Sequence, residues 1–242
     1  MMTPTFPPLM RDRQEEERQQ WARWVLGSHS DQFLPEMQAA VEELNKSDPI
    51  TAGSPVLNPG SAAGDVVVIA CQRGKHCVVM DQPMPCRVVL FDWTGVGIEA
   101  GSNPYGFEVL SVATECKGHL MEEAWRQLPP PPPGHYMGFI DDDVLLRSSD
   151  IQTLLATARV YNLSAAQPAV TFSSSLCQEY GWLRQRVGSC LHRVPIIEIM
   201  APFLRRDLLD LSMPFLQGVR SGYGLDRFAI PLCASHLNAW RF

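Results

Sequence analysis

Three adjacent carboxylates, Asp141, Asp142 and Asp143, follow the apolar run Tyr136-Met-Gly-Phe-Ile140. Like charges this close repel one another, so at the end of a buried strand they need solvent, basic partners or a cation. Hard oxygen donors of this kind suit Mg²⁺ or Mn²⁺. A metal clamped between such carboxylates and a diphosphate would neutralise charge on a departing phosphate group. The same three residues would also serve as an acidic turn capping the next helix.

The elements that must position them are legible from periodicity. Residues 65–71, 86–92, 107–112 and 135–140 read as strands, the first of them almost entirely apolar. Residues 115–128 read as a helix with Leu120, Met121, Ala124, Trp125 and Leu128 on one side, stopped by the prolines at 129–133. A second helix, capped by Ser149 or Asp150, lines up Ile151, Leu154, Leu155 and Ala158. Apolar strands alternating with amphipathic helices predict an α/β domain, its mostly parallel sheet covered on both faces. Ligands of such sheets bind beyond the carboxyl ends of the strands, where Gln72-Arg73-Gly74, Asp92 and the three aspartates would meet. Position alone makes Asp92 a candidate for the base or ribose of a nucleotide. It makes Lys117, at a helix start, a candidate for phosphate.

Ahead of this domain, residues 1–63 read as a helical appendage and linker. Phe33, Leu34, Met37, Val41 and Leu44 share one helical face there, and turn formers fill 47–64. The domain proper is expected over 64–242. A chain of 242 residues can bury a sizeable core. The net charge of −6 disfavours nucleic acid as a partner. The seven cysteines are odd in number, contain no C-x-x-C and sit partly in apolar runs, as expected of free thiols in a reducing compartment. The longest apolar run is six residues, Val66–Cys71, far short of the roughly 20 of a spanning helix. With no leader-like N-terminus, a cytoplasmic enzyme is expected, or a soluble piece of a longer chain. No G-x-x-x-x-G-K-[ST] loop is present, which removes a P-loop kinase.

An apolar strand, Asp-Asp-Asp and then Val144 resembles the DxD signature of GT-A fold glycosyltransferases. Two further segments add to the likeness: Ile-Ile-Glu-Ile-Met-Ala-Pro-Phe-Leu-Arg-Arg-Asp-Leu-Leu at 196–209 and Ser-Gly-Tyr-Gly-Leu-Asp-Arg-Phe at 221–228. Their pairing also resembles a little-characterised branch of these proteins from plant and bacterial genomes, over roughly residues 65–240. The resemblance implies a Rossmann-like GT-A domain moving a sugar from a nucleoside-diphosphate donor to a hydroxyl of a glycan, lipid or protein. In that picture Asp141 contacts the donor ribose, Asp143 binds Mn²⁺ or Mg²⁺, and Asp142 assists either; Asp141 also counts among the candidate metal ligands. Asp226 takes the position of the general base and Glu198 lines the acceptor side. His236 takes the position of a late histidine on the metal. Each also has a plainer reading: a helix N-cap for Asp226, a carboxylate paired with an arginine for Glu198, and a structural histidine for His236. Leu225-Asp226 stands where better-known members carry Glu-Asp, which leaves the stereochemical outcome open.

Two other functions fit the same residues. A degenerate GT-A domain would bind a nucleotide or a protein without transferring sugar. An aspartyl-phosphate phosphatase would use Asp141 as nucleophile within Asp141-Asp142-Asp143-Val144-Leu145. That chemistry wants a downstream lysine, and none follows Lys117.

Overall fold

The computed structural model describes residues 62–171, 183–186, 190–192, 194, 196–217, 221–222 and 224–237. Apart from residues 62 and 63, the expected N-terminal appendage lies outside the described residues.

Eight strands and four α-helices make up the described chain. The strands are β1 (Val66–Cys71), β2 (Val78–Val79), β3 (Arg87–Asp92), β4 (Glu108–Ser111), β5 (Tyr136–Ile140), β6 (Leu146–Arg147), β7 (Ala165–Ala166) and β8 (Phe203–Arg205). The helices are α1 (Lys117–Gln127), α2 (Ser148–Val160), α3 (Arg206–Ser212) and α4 (Ile230–His236). A short π-helix, Leu225–Ala229, runs directly into α4.

Six strands form one sheet in the order β4-β3-β1-β5-β8-β7. The first four are mutually parallel, and β8 runs antiparallel to both β5 and β7. The fold is therefore α/β with a mostly parallel, mixed sheet. Every residue of β1 and of β5 is buried, as expected of central strands covered on both faces. Alternate residues divide between the faces. Val66, Val68 and Ala70 pack with α1, α3 and α4, whereas Val67, Ile69 and Cys71 pack with α2. Each of these buried valine and isoleucine side chains contributes about 1.5–3 kcal/mol relative to exposure. Gly138 in β5 makes room for a neighbour, because a Cβ there would lie 2.3 Å from the Phe203 ring.

Register sets the functional end of the sheet. Cys71 pairs with Asp92, and Ile69 pairs with Ile140, so Asp92 and the three aspartates leave the sheet at one level. Helix α1 begins at this end after β4. It stops at Gln127 before the prolines, which removes the N–H groups a further turn would need. Helix α2 departs from expectation at its start. Its N-cap is Arg147, and Asp150 instead accepts the Arg147 backbone N–H at 3.2 Å. Capping comes from a distant carboxylate, Asp81, which accepts the Ser149 N–H at 3.0 Å and the Ser148 hydroxyl at 2.7 Å. Hydrogen bonds from Ser149 and Ser148 pull the Asp81 carboxyl down to about 2.

Candidate functional site

Beyond the carboxyl ends of the parallel strands, five titratable side chains from four segments come together. They are Lys117 at the start of α1, Asp141 and Asp142 after β5, Glu198 before β8, and Asp226 in the π-helix. Their electrostatic coupling marks the cluster: Lys117 feels Asp141, Glu198 and Asp142, and Glu198 feels Asp226 and Asp141.

Lys117 Nζ donates to Asp141 Oδ1 at 2.5 Å, with side chains 11% and 29% exposed. Burial pushes the lysine below its ordinary range against the pull of Asp141. Burial pushes Asp141 up, opposed by Lys117 and reinforced by Asp143 and Asp142. The Asp141 N–H donates to the Met200 carbonyl at 2.9 Å, which ties the end of β5 to the segment before β8.

Asp142 is held on both sides. Its carbonyl accepts the Cys77 N–H at 2.9 Å, and its Oδ2 accepts the indole N–H of Trp93 at 2.9 Å. Asp143 is exposed and receives no hydrogen bond from the described residues. Asp92 stands at the same level but is fully buried. Its Oδ1 accepts the Arg73 N–H, the Thr94 N–H and the Thr94 hydroxyl, and its Oδ2 accepts the Gly97 N–H at 2.7 Å. Burial alone would raise the Asp92 carboxyl, yet these bonds outweigh it and hold it low. Its oxygens are engaged in shaping the 93–97 loop.

Glu198 lies in an irregular segment before β8. No arginine pairs with it among the described hydrogen bonds. Its Oε2 accepts the Met200 N–H at 2.6 Å, so it braces the same residue whose carbonyl holds Asp141. Burial raises its carboxyl, and Asp226 and Asp141 raise it further. Asp226 sits second in the π-helix, whose N-cap is Gly224 at φ 91° with no side-chain cap bond. The N-cap reading of Asp226 therefore gives way to that of a half-buried carboxyl, 15% exposed. Burial raises it against the opposing charge of Arg227. Single π-turns inserted in helices recur at functional sites.

The glycine turn before Asp226 docks closely on α1. A Cβ on Gly222, at φ +71°, would lie 3.0 Å from the backbone N and Cα of Gly118. Only glycine at 222 lets the Asp226 segment approach Lys117 this way. His236 is exposed at the far end of α4, separated from Asp226 by roughly 15 Å of helix axis at 1.5 Å per residue. The structure thus brings Asp141, Asp142, Lys117, Glu198 and Asp226 together and places His236 apart from Asp226.

A divalent ion suits this donor set only in one form. Among the described residues no three His, Cys, Asp or Glu side chains converge to hold a metal by themselves. Mg²⁺-type ions commonly use one or two carboxylates and take their remaining ligands from substrate phosphates and water. Asp143, with Asp142 beside it, fits that pattern. Elsewhere, a cavity of about 550 Å³ at the amino ends of the strands is lined by Arg159, Arg205 and Arg206. Their partners Asp65, Asp207 and Asp210 balance the charge, so it offers no anion site.

Trp93 and Gly222 are the residues of this cluster that sequence reasoning misses. A donor immediately after a strand-ending aspartate, as in Asp92-Trp93, is the signal that would have found the first. Among the described residues no helix is long and apolar enough to cross a membrane. No known family model matches the chain, and no curated protein matches it significantly.

Proposed function

We propose that the domain is a metal-dependent glycosyltransferase of the GT-A kind, moving a sugar from a nucleoside diphosphate to a hydroxyl acceptor, and that it works in the cytoplasm. The observation that carries this reading is the convergence of Lys117, Asp141, Glu198 and Asp226 around the strand ends. Two carboxyls there, Glu198 and Asp226, are half-buried and titrate above their ordinary range. General bases work best when their pKa approaches the working pH.

Each side chain has a task in this scheme. Asp143 and Asp142 would hold Mn²⁺ or Mg²⁺, which supplies charge neutralisation for the leaving diphosphate. Lys117, at the start of α1, cancels the charge of Asp141 so that the donor's phosphates are not repelled at that point. Asp226 would accept the acceptor's hydroxyl proton as the new carbon–oxygen bond forms at the anomeric carbon. The electron pair of the broken bond leaves with the diphosphate. Glu198 braces Met200 and lines the acceptor side.

The test is a thermal-shift series with UDP, GDP, CDP and dTDP, each with and without Mn²⁺. One nucleotide should raise the melting temperature only with the metal, and Asp143→Ala should lose that rise. Asp226→Asn should keep it and lose sugar transfer. Absence of any shift in the wild type sinks the reading.

A second reading, the aspartyl-phosphate phosphatase, is favoured by one contact. Lys117 reaches Asp141 from upstream, supplying the ammonium that the sequence lacks downstream. Hydrolysis of p-nitrophenyl phosphate that vanishes in Asp141→Asn, with no nucleotide binding, would select it.

A further inference from the structure

Resting on the transferase reading, we propose that Trp93 is a positioning residue that divides the work among the three aspartates. Its main chain is fixed on both sides. The Trp93 N–H donates to the Cys71 carbonyl, and its own carbonyl accepts the Thr114 N–H at 2.9 Å. The loop that follows is pinned by Asp92 through Thr94 and Gly97, and the indole ring packs against the main core. From this frame the indole N–H reaches Asp142 Oδ2 across 49 residues of sequence.

The choice of donor matters. A lysine ammonium cancels the charge of the carboxylate it binds, as Lys117 does for Asp141. An indole N–H is neutral: it fixes the direction of a carboxylate and leaves its charge in place. The three aspartates therefore differ in their partners. Asp141 is paired with the Lys117 ammonium, Asp142 is held by the indole N–H, and Asp143 is exposed and receives no hydrogen bond from the described residues. Neither Asp142 nor Asp143 forms an ion pair among the described residues, so both carboxylates are available to a divalent ion, and the indole bond limits how far Asp142 can turn.

The experiment measures how much Mn²⁺ is needed for the half-maximal nucleotide-induced thermal shift, using the nucleotide that responds in the wild type. Hydrogen bonds to charged groups are strong enough that losing this one should raise the Mn²⁺ requirement roughly tenfold in Trp93→Phe. Asp142→Ala should raise it at least as far. The double variant should match Asp142→Ala alone, because Trp93 acts only through Asp142. Mg²⁺ and Mn²⁺ are then compared on the unmodified protein by NMR, which does not depend on any variant folding. The Trp93 indole N–H signal should broaden with nucleotide and Mn²⁺ and stay sharp with Mg²⁺. An unchanged Mn²⁺ requirement in Trp93→Phe, or additive effects in the double variant, overturns the positioning role while the transferase reading stands; a Trp93 signal that stays sharp with Mn²⁺ removes the metal from Asp142 and overturns both. A wild type with no Mn²⁺-dependent shift overturns both.

Discussion

Removing the one ammonium in the cluster tests the electrostatic logic of the site directly. In Lys117→Met the packing volume is kept and the charge is lost. Two unit charges 2.5 Å apart attract by about 7 kcal/mol at an effective dielectric constant near 20, and the desolvation of both groups offsets most of this. The variant keeps the desolvation of Asp141 and loses its partner. Breaking such a pair costs about 3–5 kcal/mol when fully buried. Asp141 is 29% exposed, so the lower end, about 3 kcal/mol, applies. For a domain of this size that lowers the melting temperature by about 6–12 °C near pH 7.5. The deficit should also depend on pH. The Asp141 and Glu198 carboxyls are already raised by burial, and Asp141 rises further without the lysine. A carboxyl raised on folding contributes stability that is fully present below its unfolded pKa of about 4 and is lost as pH rises through the folded value. The gap between wild type and Lys117→Met should therefore narrow as pH falls from about 7.5 toward the unfolded value of about 4. Calorimetry across that window is the assay. A melting temperature within about 2 °C of wild type at neutral pH, or a gap that does not change with pH, would refute the reasoning.

Two further substitutions probe how the site is held together. Gly222→Ala forces a left-handed backbone on alanine and pushes a Cβ to 3.0 Å from Gly118; a loss of about 1–3 kcal/mol by denaturant titration is expected, together with weaker sugar transfer as Asp226 is displaced. Asp92→Asn leaves the Gly97 N–H facing an amide and should cost about 2–3 kcal/mol at neutral pH. Because the Asp92 carboxyl is lowered on folding, its stabilisation is present above the unfolded pKa of about 4 and fades as pH falls through the folded value. Acid titration of both proteins should show their stabilities converging below about pH 4.

Much of the fold is written locally in the chain. Six successive apolar residues, rich in β-branched valine and too few for a buried helix, read as a strand buried on both faces, and β1 is that strand. The helix before the prolines and the helix after the aspartates follow from the spacing of Leu120, Met121 and Ala124, and of Ile151, Leu155 and Ala158, all buried. That Asp141–Asp143 stand at a strand end is equally local, because side-chain period and turn chemistry act over a few residues. Partner choice is not local. The reversal of β8, the distant cap that Asp81 provides for α2, the Lys117–Asp141 contact and the Trp93–Asp142 bond all depend on how long connections cross the sheet. So does the engagement of Asp92 by its own loop, which a strand-end carboxylate does not announce. Sequence alone determined which groups could do chemistry and at which end of the sheet. Only the tertiary structure decided which of those carboxylates are neutralised, which are held and which remain open, because each outcome depends on a donor brought from a different segment.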